Sequence, residues 1–405
     1  MRLFLAIISL LLLMYSCKRN TNGICEILYI ENAFENNEGV NLSKYASDIR
    51  YIPLETTPQS LIGLSISNIV TTGDYLYLIS QNRGDSHVLM FNNNGNFIQK
   101  IGAYGRGPGE YSLIKDLMVE NDLNSRIAIH SHKKIIIYNN GNFVKEISLD
   151  AFTKATGSNT AMACRYASNG KYELISQQKN HNSNISKDIC TIIDSTGNVL
   201  SITPIGNTTY FISNRGGIQH SVSQSANFFK NTYNALFINS RGDTISYINE
   251  NNMRIVSHIL KLGKYQSLAD NNNFEEKLQI GIINLNNTEK FLTIGFSAPA
   301  RTLPELYKGY HSPNKIAGRL IYDKKEKKLY TLKYNPEFNL SGFNNDLNNG
   351  APFVPIIAIG NKMYSFTDAT TFISHAQKCN SQQMKEVASK ITPESNYVLT
   401  EVTLK

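Results

Sequence analysis

Short runs of β-branched and aromatic residues, alternating with polar ones and broken by turns, fill the middle of the chain: "YLYLIS", "HVLMF", "NFIQKI", "RIAIH", "KIIIY" and "NFVKEI". A period of two places successive side chains on opposite faces of a sheet, so these runs predict strands. Helical periodicity is nearly absent between them. The runs also recur. "VLMFNNNGNFIQKI" from Val88 and "IIIYNNGNFVKEI" from Ile135 carry hairpin turns at Asn94-Gly95 and Asn140-Gly141, 46 residues apart. Asn and Gly both tolerate the positive φ that a tight reversal needs. "CTIIDSTGNVLSI" places a turn at Gly197, 56 residues further on, and "NALFINSRGDTISYI" another at Gly242, 45 beyond that. A later copy with a charged turn is "GRLIYDKKEKKLYTLKY", from Gly318.

Repeats of about 40 to 50 residues, each with four short strands, predict a β-propeller. One twisted four-stranded sheet has two apolar faces; radial packing covers both, and ring closure limits free edges. The expected fold is all-β, a six-bladed β-propeller of four-stranded antiparallel blades over residues 45–405. Those 361 residues allow about 60 per blade. Long loops are therefore expected between Gly206 and His220 and between Leu260 and Phe291, with "NNNFEEKLQIGIINL" from Asn271 as a short capping helix.

The N-terminus follows another logic. The apolar run Leu3–Met14 has 12 residues, short of the roughly 20 that a membrane span needs. After Arg2 it reads as the core of an export signal. Met14-Tyr15-Ser16-Cys17 resembles a bacterial lipoprotein box, which implies cleavage after residue 16 and acylation of Cys17. Ordinary cleavage nearby is the alternative, and it exports the protein equally. The expected layout is a signal peptide over 1–16, a lipid-anchored tether over 17–44, then the propeller. Lys18 and Arg19 stand where acidic residues resemble a signal for outward display. The expectation is thus an outer-membrane lipoprotein of the cell envelope that faces the periplasm.

A net charge of +8 without a long basic run interleaved with aromatics argues against nucleic acid. "KKEKK" at Lys324 to Lys328 reads as a solvated turn. Besides Cys17 there are Cys25, Cys164, Cys190 and Cys379. An oxidising compartment permits disulfides; Cys164–Cys190 is the preferred pair if they lie on neighbouring strands, and unpaired buried thiols are the other reading.

"YIPLETTPQSLIGLSISNI" at Tyr51, "NGNFIQKIGAYGRGPGEYSLIKDLMV", "GDTISYI" at Gly242, "NDLNNGAPFVP" at Asn345 and the closing "NYVLTEVTLK" belong together. In combination they resemble the six-bladed β-propeller lipoproteins of gut-type Gram-negative anaerobes, a family distantly similar to NHL-repeat propellers. Ser246 stands where that family usually has tyrosine, and Tyr397 where it has proline. The resemblance runs from about Val40 to Lys405 and implies an architecture more than an activity.

"IGAYGRGPGEYSL", Ile101 to Leu113, is the one glycine-rich stretch that invites a phosphate-loop reading. Such a loop must lead from a strand into a helix N-terminus, whereas "EYSLIKDLMVE" continues as sheet, and the glycine spacing fits no nucleotide fingerprint. The stretch reads instead as the crossing from one blade's outer strand to the next blade's inner strand, near the central channel. Arg106 and Glu110 flank its glycines as candidate ligand-binding residues, Arg106 for an anionic or sugar ligand and Glu110 to orient it. The alternative is that they pair with each other or cap loop carbonyls. Tyr111 reads as packing.

His130 and His132, at strand spacing, would share a side and with His220 could bind a channel metal, though without an accompanying carboxylate or cysteine. Asp194-Ser195-Thr196 and Asp243-Thr244-Ile245 resemble an O-glycosylation signal or are turn chemistry. No nucleophile motif is visible, and scattered paired carboxylates remain open. Tryptophan is absent, and 22 tyrosines and 18 phenylalanines mostly alternate along strands as packing residues. The expected function is a monomeric binding or scaffold lipoprotein, tied to the membrane through Cys17, for a peptide, protein or glycan. It has no catalytic residues, cofactor or metal assigned; the alternative is a propeller lyase or hydrolase built on the channel.

Overall fold

The computed structural model describes residues 25–405 apart from 36–38, 83–84, 122–124, 179–184, 216–217, 225–226, 230–235, 240–241, 250, 266–279, 300–301, 305 and 309–314, with backbone alone at 85, 121 and 209–228. Six antiparallel sheets of the expected kind form a six-bladed β-propeller. Their inner strands are Ser65–Thr71, Ile114–Asn121, Ala163–Ser168, Asn227–Phe229, Gly281–Asn287 and Ile357–Ile359, in blades one to six. Blade six closes the ring. Its outermost strand, Ala46–Pro53, comes from the start of the propeller and pairs with Val398–Leu404 from the end of the chain. Arg50 reaches Glu401 at 2.6 Å across that junction, and Lys362 reaches the same carboxylate at 2.9 Å.

The two-sided apolar pattern has a direct cause. In blade two, Ile127 and Ile129 pack toward Tyr77, Ile79 and Met90 of blade one, while Ala128, Ile135 and Ile137 pack toward Cys164, Tyr172 and Leu174 of blade three. Each fully buried isoleucine contributes about 1.5–3 kcal/mol by leaving water, and no blade could gain this alone.

The repeated hairpin turns have a second role besides reversal. In blades one to five the turn between third and fourth strands holds a residue at positive φ: Gly95 (85°), Gly141 (80°), Gly197 (92°), Asn252 (60°) and Lys327 (56°). Each turn leans on the blade before it. A Cβ on Gly95 would fall 2.3 Å from the Pro53 carbonyl oxygen, and one on Gly197 2.5 Å from that of Ser148. Blade four makes the same contact with a hydroxyl, Thr203 Oγ1 donating to the Asn252 carbonyl at 2.9 Å. The charged turn of blade five sets Lys327 against Glu26. Gly242 therefore differs from the sequence reading. It lies between the second and third strands of its blade, in open space.

Other differences are local. Residues 206–215 are not loop but the continuation of strand Val199–Arg215, which forms a ribbon with Ile218–Gln224. The "GIINL" part of the expected capping helix is the inner strand of blade five, and residues 271–279 lie outside the described residues. From Glu26 the expected tether belongs to the folded body. Glu26–Tyr29 adds a parallel fifth strand to blade four, and helix Ile30–Glu35 buries Ile30, Ala33 and Phe34 between blades four and five. Phe34 packs edge-on against Tyr265 and Phe296, with ring centres 5.2 and 5.4 Å away. Helices Ala369–Lys378 and Gln382–Ala388 interrupt blade six, each begun by a side-chain cap, Asp368 to Thr371 N–H and Ser381 to Met384 N–H.

Candidate functional site

Every inner strand enters from a blade crossing and leaves into the first hairpin of its own blade, so the channel has a crossing end and a hairpin end. At the hairpin end lies a cavity of about 440 Å³ lined by residues from five blades. Its wall is largely apolar, with Ile69, Leu117, Met118, Tyr166, Ile357 and Ile359 contributing. Charge is confined to Arg165, Glu289, Lys290 and Lys405. Arg165 is paired with the buried Glu173 at 2.8 Å, and Lys290 donates to the Lys405 carbonyl at 2.5 Å. The Cys164 thiol in the wall is pushed up by burial, so it is a poor nucleophile at neutral pH.

The inner strands are fastened to one another by a device that the sequence reading missed. In blades one, two and five the strand bulges at its third or second residue, and a polar side chain directly after the bulge crosses to the next blade. Asn68 Nδ2 donates to the Leu117 carbonyl at 3.2 Å; Asp116 Oδ2 accepts from the Cys164 N–H at 2.6 Å; Asn284 Nδ2 donates to the Ile356 carbonyl at 3.1 Å. An extra residue re-aims the following side chain, which is why a bulge precedes each bridge. The signal was present as "ISNI", "IKDL" and "IINL".

The glycine-rich crossing lies at the other end. Ala103–Tyr104 pairs in parallel with Glu110–Tyr111 around it. Glu110 Oε2 accepts from the Gly107 N–H at 2.8 Å, and the Glu110 N–H donates to the Gly107 carbonyl at 3.1 Å. Glu146 accepts from the Gly109 N–H at 2.9 Å and from Lys134 Nζ at 2.7 Å; Tyr138 donates to the Gly109 carbonyl at 2.5 Å. Tyr111 is buried and donates to the Ile101 carbonyl at 3.1 Å. The Gly107 and Gly109 amides are thus taken by carboxylates of the protein itself. Glu146, Lys134 and Tyr138, which also hold the loop, stand on the third and fourth strands of blade two, so the crossing lies over the outer part of that blade instead of beside the channel. Arg106 is exposed and makes no ion pair among the described residues; Glu110 is the brace of the loop. The structure holds the two close in sequence but gives them different roles.

The histidines do not converge. His130 is fully buried in its strand, whereas His132 is exposed in the following turn at φ 38°, because the strand ends at Ser131. The side chain of His220 lies outside the described residues, and so does Cys17. Cys164 and Cys190 are not on neighbouring strands. Lys171–Gln178 runs between them, with Cys164 opposite Leu174 and Cys190 opposite Ile175, so they occupy rows on opposite faces and are free thiols, as are Cys25 and Cys379. Asp194 serves its own turn. Hydrogen bonds from Thr196 and Asn198 hold its carboxyl down to about 2. Asp243 likewise binds Asn239 and Thr244.

Over residues 25–403 the chain matches a family described as a domain of unknown function, DUF4934. The protein belongs to the DUF4934 family. Among solved structures it is similar to a "Putative exported protein" from Bacteroides fragilis, 16% identical, with a TM-score of 0.62 and coverage of 94% of this chain and 100% of that one. It is more weakly similar to a member of the DUF4221 family from Bacteroides vulgatus, 11% identical, with a TM-score of 0.48 over 89% of this chain and 97% of that one. At these identities the likeness is one of fold. No curated protein matches this DUF4934 chain.

Proposed function

We propose that this DUF4934 propeller is an exported binding protein of the cell envelope, held at the outer membrane by an acylated Cys17 and taking the apolar part of a peptide, protein or glycan into the hairpin end of its channel. The observation that carries the reading is the cavity of about 440 Å³, lined by five blades, with aliphatic side chains from blades one, two and six and a few charges at its rim. That is the composition of a binding pocket. A reaction centre would instead gather titratable groups with shifted pKa values; here Arg165 is neutralised by Glu173 and the Cys164 thiol is buried. Export is supported by the apolar N-terminal run and by the likeness to the exported protein from Bacteroides fragilis. An acyl-cysteine anchor supplies about 0.8 kcal/mol for each buried CH₂ group, and the resemblance to gut-type propeller lipoproteins agrees with it.

The test uses 1-anilinonaphthalene-8-sulfonate as the probe of the cavity. Ile359→Trp, which fills it, is expected to abolish saturable dye fluorescence, while Leu200→Asp on the outer strand of blade three leaves it unchanged. Equal fluorescence in a stably folded Ile359→Trp protein overturns the assignment.

A further inference from the structure

A second cleft, of about 360 Å³, opens at the crossing end between blades five and six. Arg319 projects into it from the third strand of blade five, in the row Asn284–Gly295–Arg319. Because Gly295 has no side chain, the guanidinium lies across it; a Cβ there would meet Arg319 Nη1 at 2.9 Å. Nη1 is buried and without a hydrogen-bond partner, and Arg319 forms no ion pair among the described residues. Burial pushes its pKa down to about 10, opposed by Tyr307, so it is still a cation at neutral pH. Arg319 as a whole is half-buried; a partly desolvated cation without a counter-charge is unfavourable, and arginine presents its donors in the fork that matches a carboxylate.

The facing wall belongs to blade six, where Tyr51, Thr400 and Ser365 form one row. The Tyr51 hydroxyl is occupied, donating to Asn348 at 3.2 Å and accepting from Asn345 at 2.9 Å. The Ser365 and Thr400 hydroxyls line the cleft and make no hydrogen bond among the described residues. Asp368 also borders it, but its Oδ1 accepts the Thr371 N–H at 2.9 Å as the cap of its helix. His375, its pKa lowered by burial, is neutral at pH 7. The remaining wall includes Phe353, Phe366 and Phe372.

We propose that this cleft binds a small organic carboxylate, its anionic head paired with Arg319 and hydrogen-bonded by Ser365 and Thr400, its apolar body against the phenylalanines. The volume lies toward the lower end of the range of about 300–1,000 Å³ for ligand pockets. The site is independent of the channel cavity.

Isothermal titration of the full mature protein with 3-phenylpropionate tests this, with 3-phenylpropanamide and sodium sulfate as companions. Saturable binding of the carboxylate is expected, weakened about tenfold or more by Arg319→Gln, in line with loss of a charge-assisted pair, and absent for the amide. If Arg319→Gln does not fold, the Ser365→Ala/Thr400→Val double variant decides, with a severalfold loss expected. The proposal is overturned by equal binding of acid and amide, by sulfate binding as tightly as the acid, by no binding, or by affinity unchanged in the deciding variant. Ile359→Trp is expected to leave 3-phenylpropionate binding intact, which separates this site from the channel.

Discussion

The carboxylate of Asp116, in the inner strand of blade two, accepts the backbone N–H of Cys164, in the inner strand of blade three, at 2.6 Å. Asp116 is buried, so removing it leaves that amide unsatisfied at a blade junction. Hydrogen bonds to charged groups contribute about 1.5–3 kcal/mol. Asp116→Ala is expected to lower stability by about that much, and Asp116→Asn, which can still accept, by less. Urea unfolding followed by circular dichroism measures both; equal losses would show that acceptance of the Cys164 amide is not what matters.

The turn glycines give a paired prediction. Gly197→Ala places a methyl against the Ser148 carbonyl at a φ of 92°, so it strains both the turn and the junction to blade two. Gly242→Ala meets nothing within 4 Å and bears only the cost of its φ of 71°, about 1 kcal/mol for a single residue. Gly197→Ala is expected to be the more destabilising, by about 1 kcal/mol or more beyond Gly242→Ala. Thermal unfolding of the two variants in parallel provides the comparison.

Acid sensitivity follows from buried groups. Burial, with the nearby charge of Lys115, holds His130 neutral and lowers its pKa to about 3 although Asp116 lies 3.7 Å away. The unfolded chain takes up that proton near 6.5, so stability is complete above this value and falls as pH drops toward 3. The slope is up to about 1.4 kcal/mol per pH unit for one proton. His258, lowered to about 4 by burial against the pull of Glu26, acts in the same direction. Glu401 adds a further loss below about 4.5: burial raises its pKa, but Lys362 and Arg50 outweigh that and hold it low. His130→Leu is expected to make the decline in urea midpoint between pH 6.5 and 5 shallower by up to one proton; an unchanged slope would remove His130 from this account.

At the glycine crossing, Glu110→Ala frees the Gly107 amide and is expected to cost about 1 kcal/mol. Arg106→Ala removes an exposed cation with no ion pair among the described residues and is expected to leave stability within about 0.5 kcal/mol. If Arg106 is a ligand contact, its variant loses binding to anionic glycans on an array while melting as the wild type does. Retained binding would leave Arg106 a solvated charge.

Much of the architecture could be read from strands and turns, because "NNNGN", "YNNGN" and "DSTGN" each combine a reversal with a glycine that a neighbouring blade requires. The phase was lost at Gly242 because in blade four Asn252 holds the left-handed position at the turn after the third strand. Asparagine can do this, yet leaves no glycine to count. The helices of blade six escaped notice because "ATTFISHAQK" is short and weakly apolar. Arg319 was not legible at all. Its isolation depends on Gly295 and Asn284 in its own register row and on Ser365 and Thr400 across a junction, and these come from distant parts of the sequence. The Asn68, Asp116 and Asn284 bridges were written locally, but one bulged residue separates them from simple alternation.

Ring closure through Ala46–Pro53 and Val398–Leu404 pairs a strand that precedes the first blade with one that follows all the others in the ring. Until Val398–Leu404 pairs, the ring has no latch and the strand Lys362–Thr367 keeps a naked edge. Copies that lack Val398–Leu404 cannot hide that edge and stay open to proteases, so this strand acts as a proofreading seal on the whole ring.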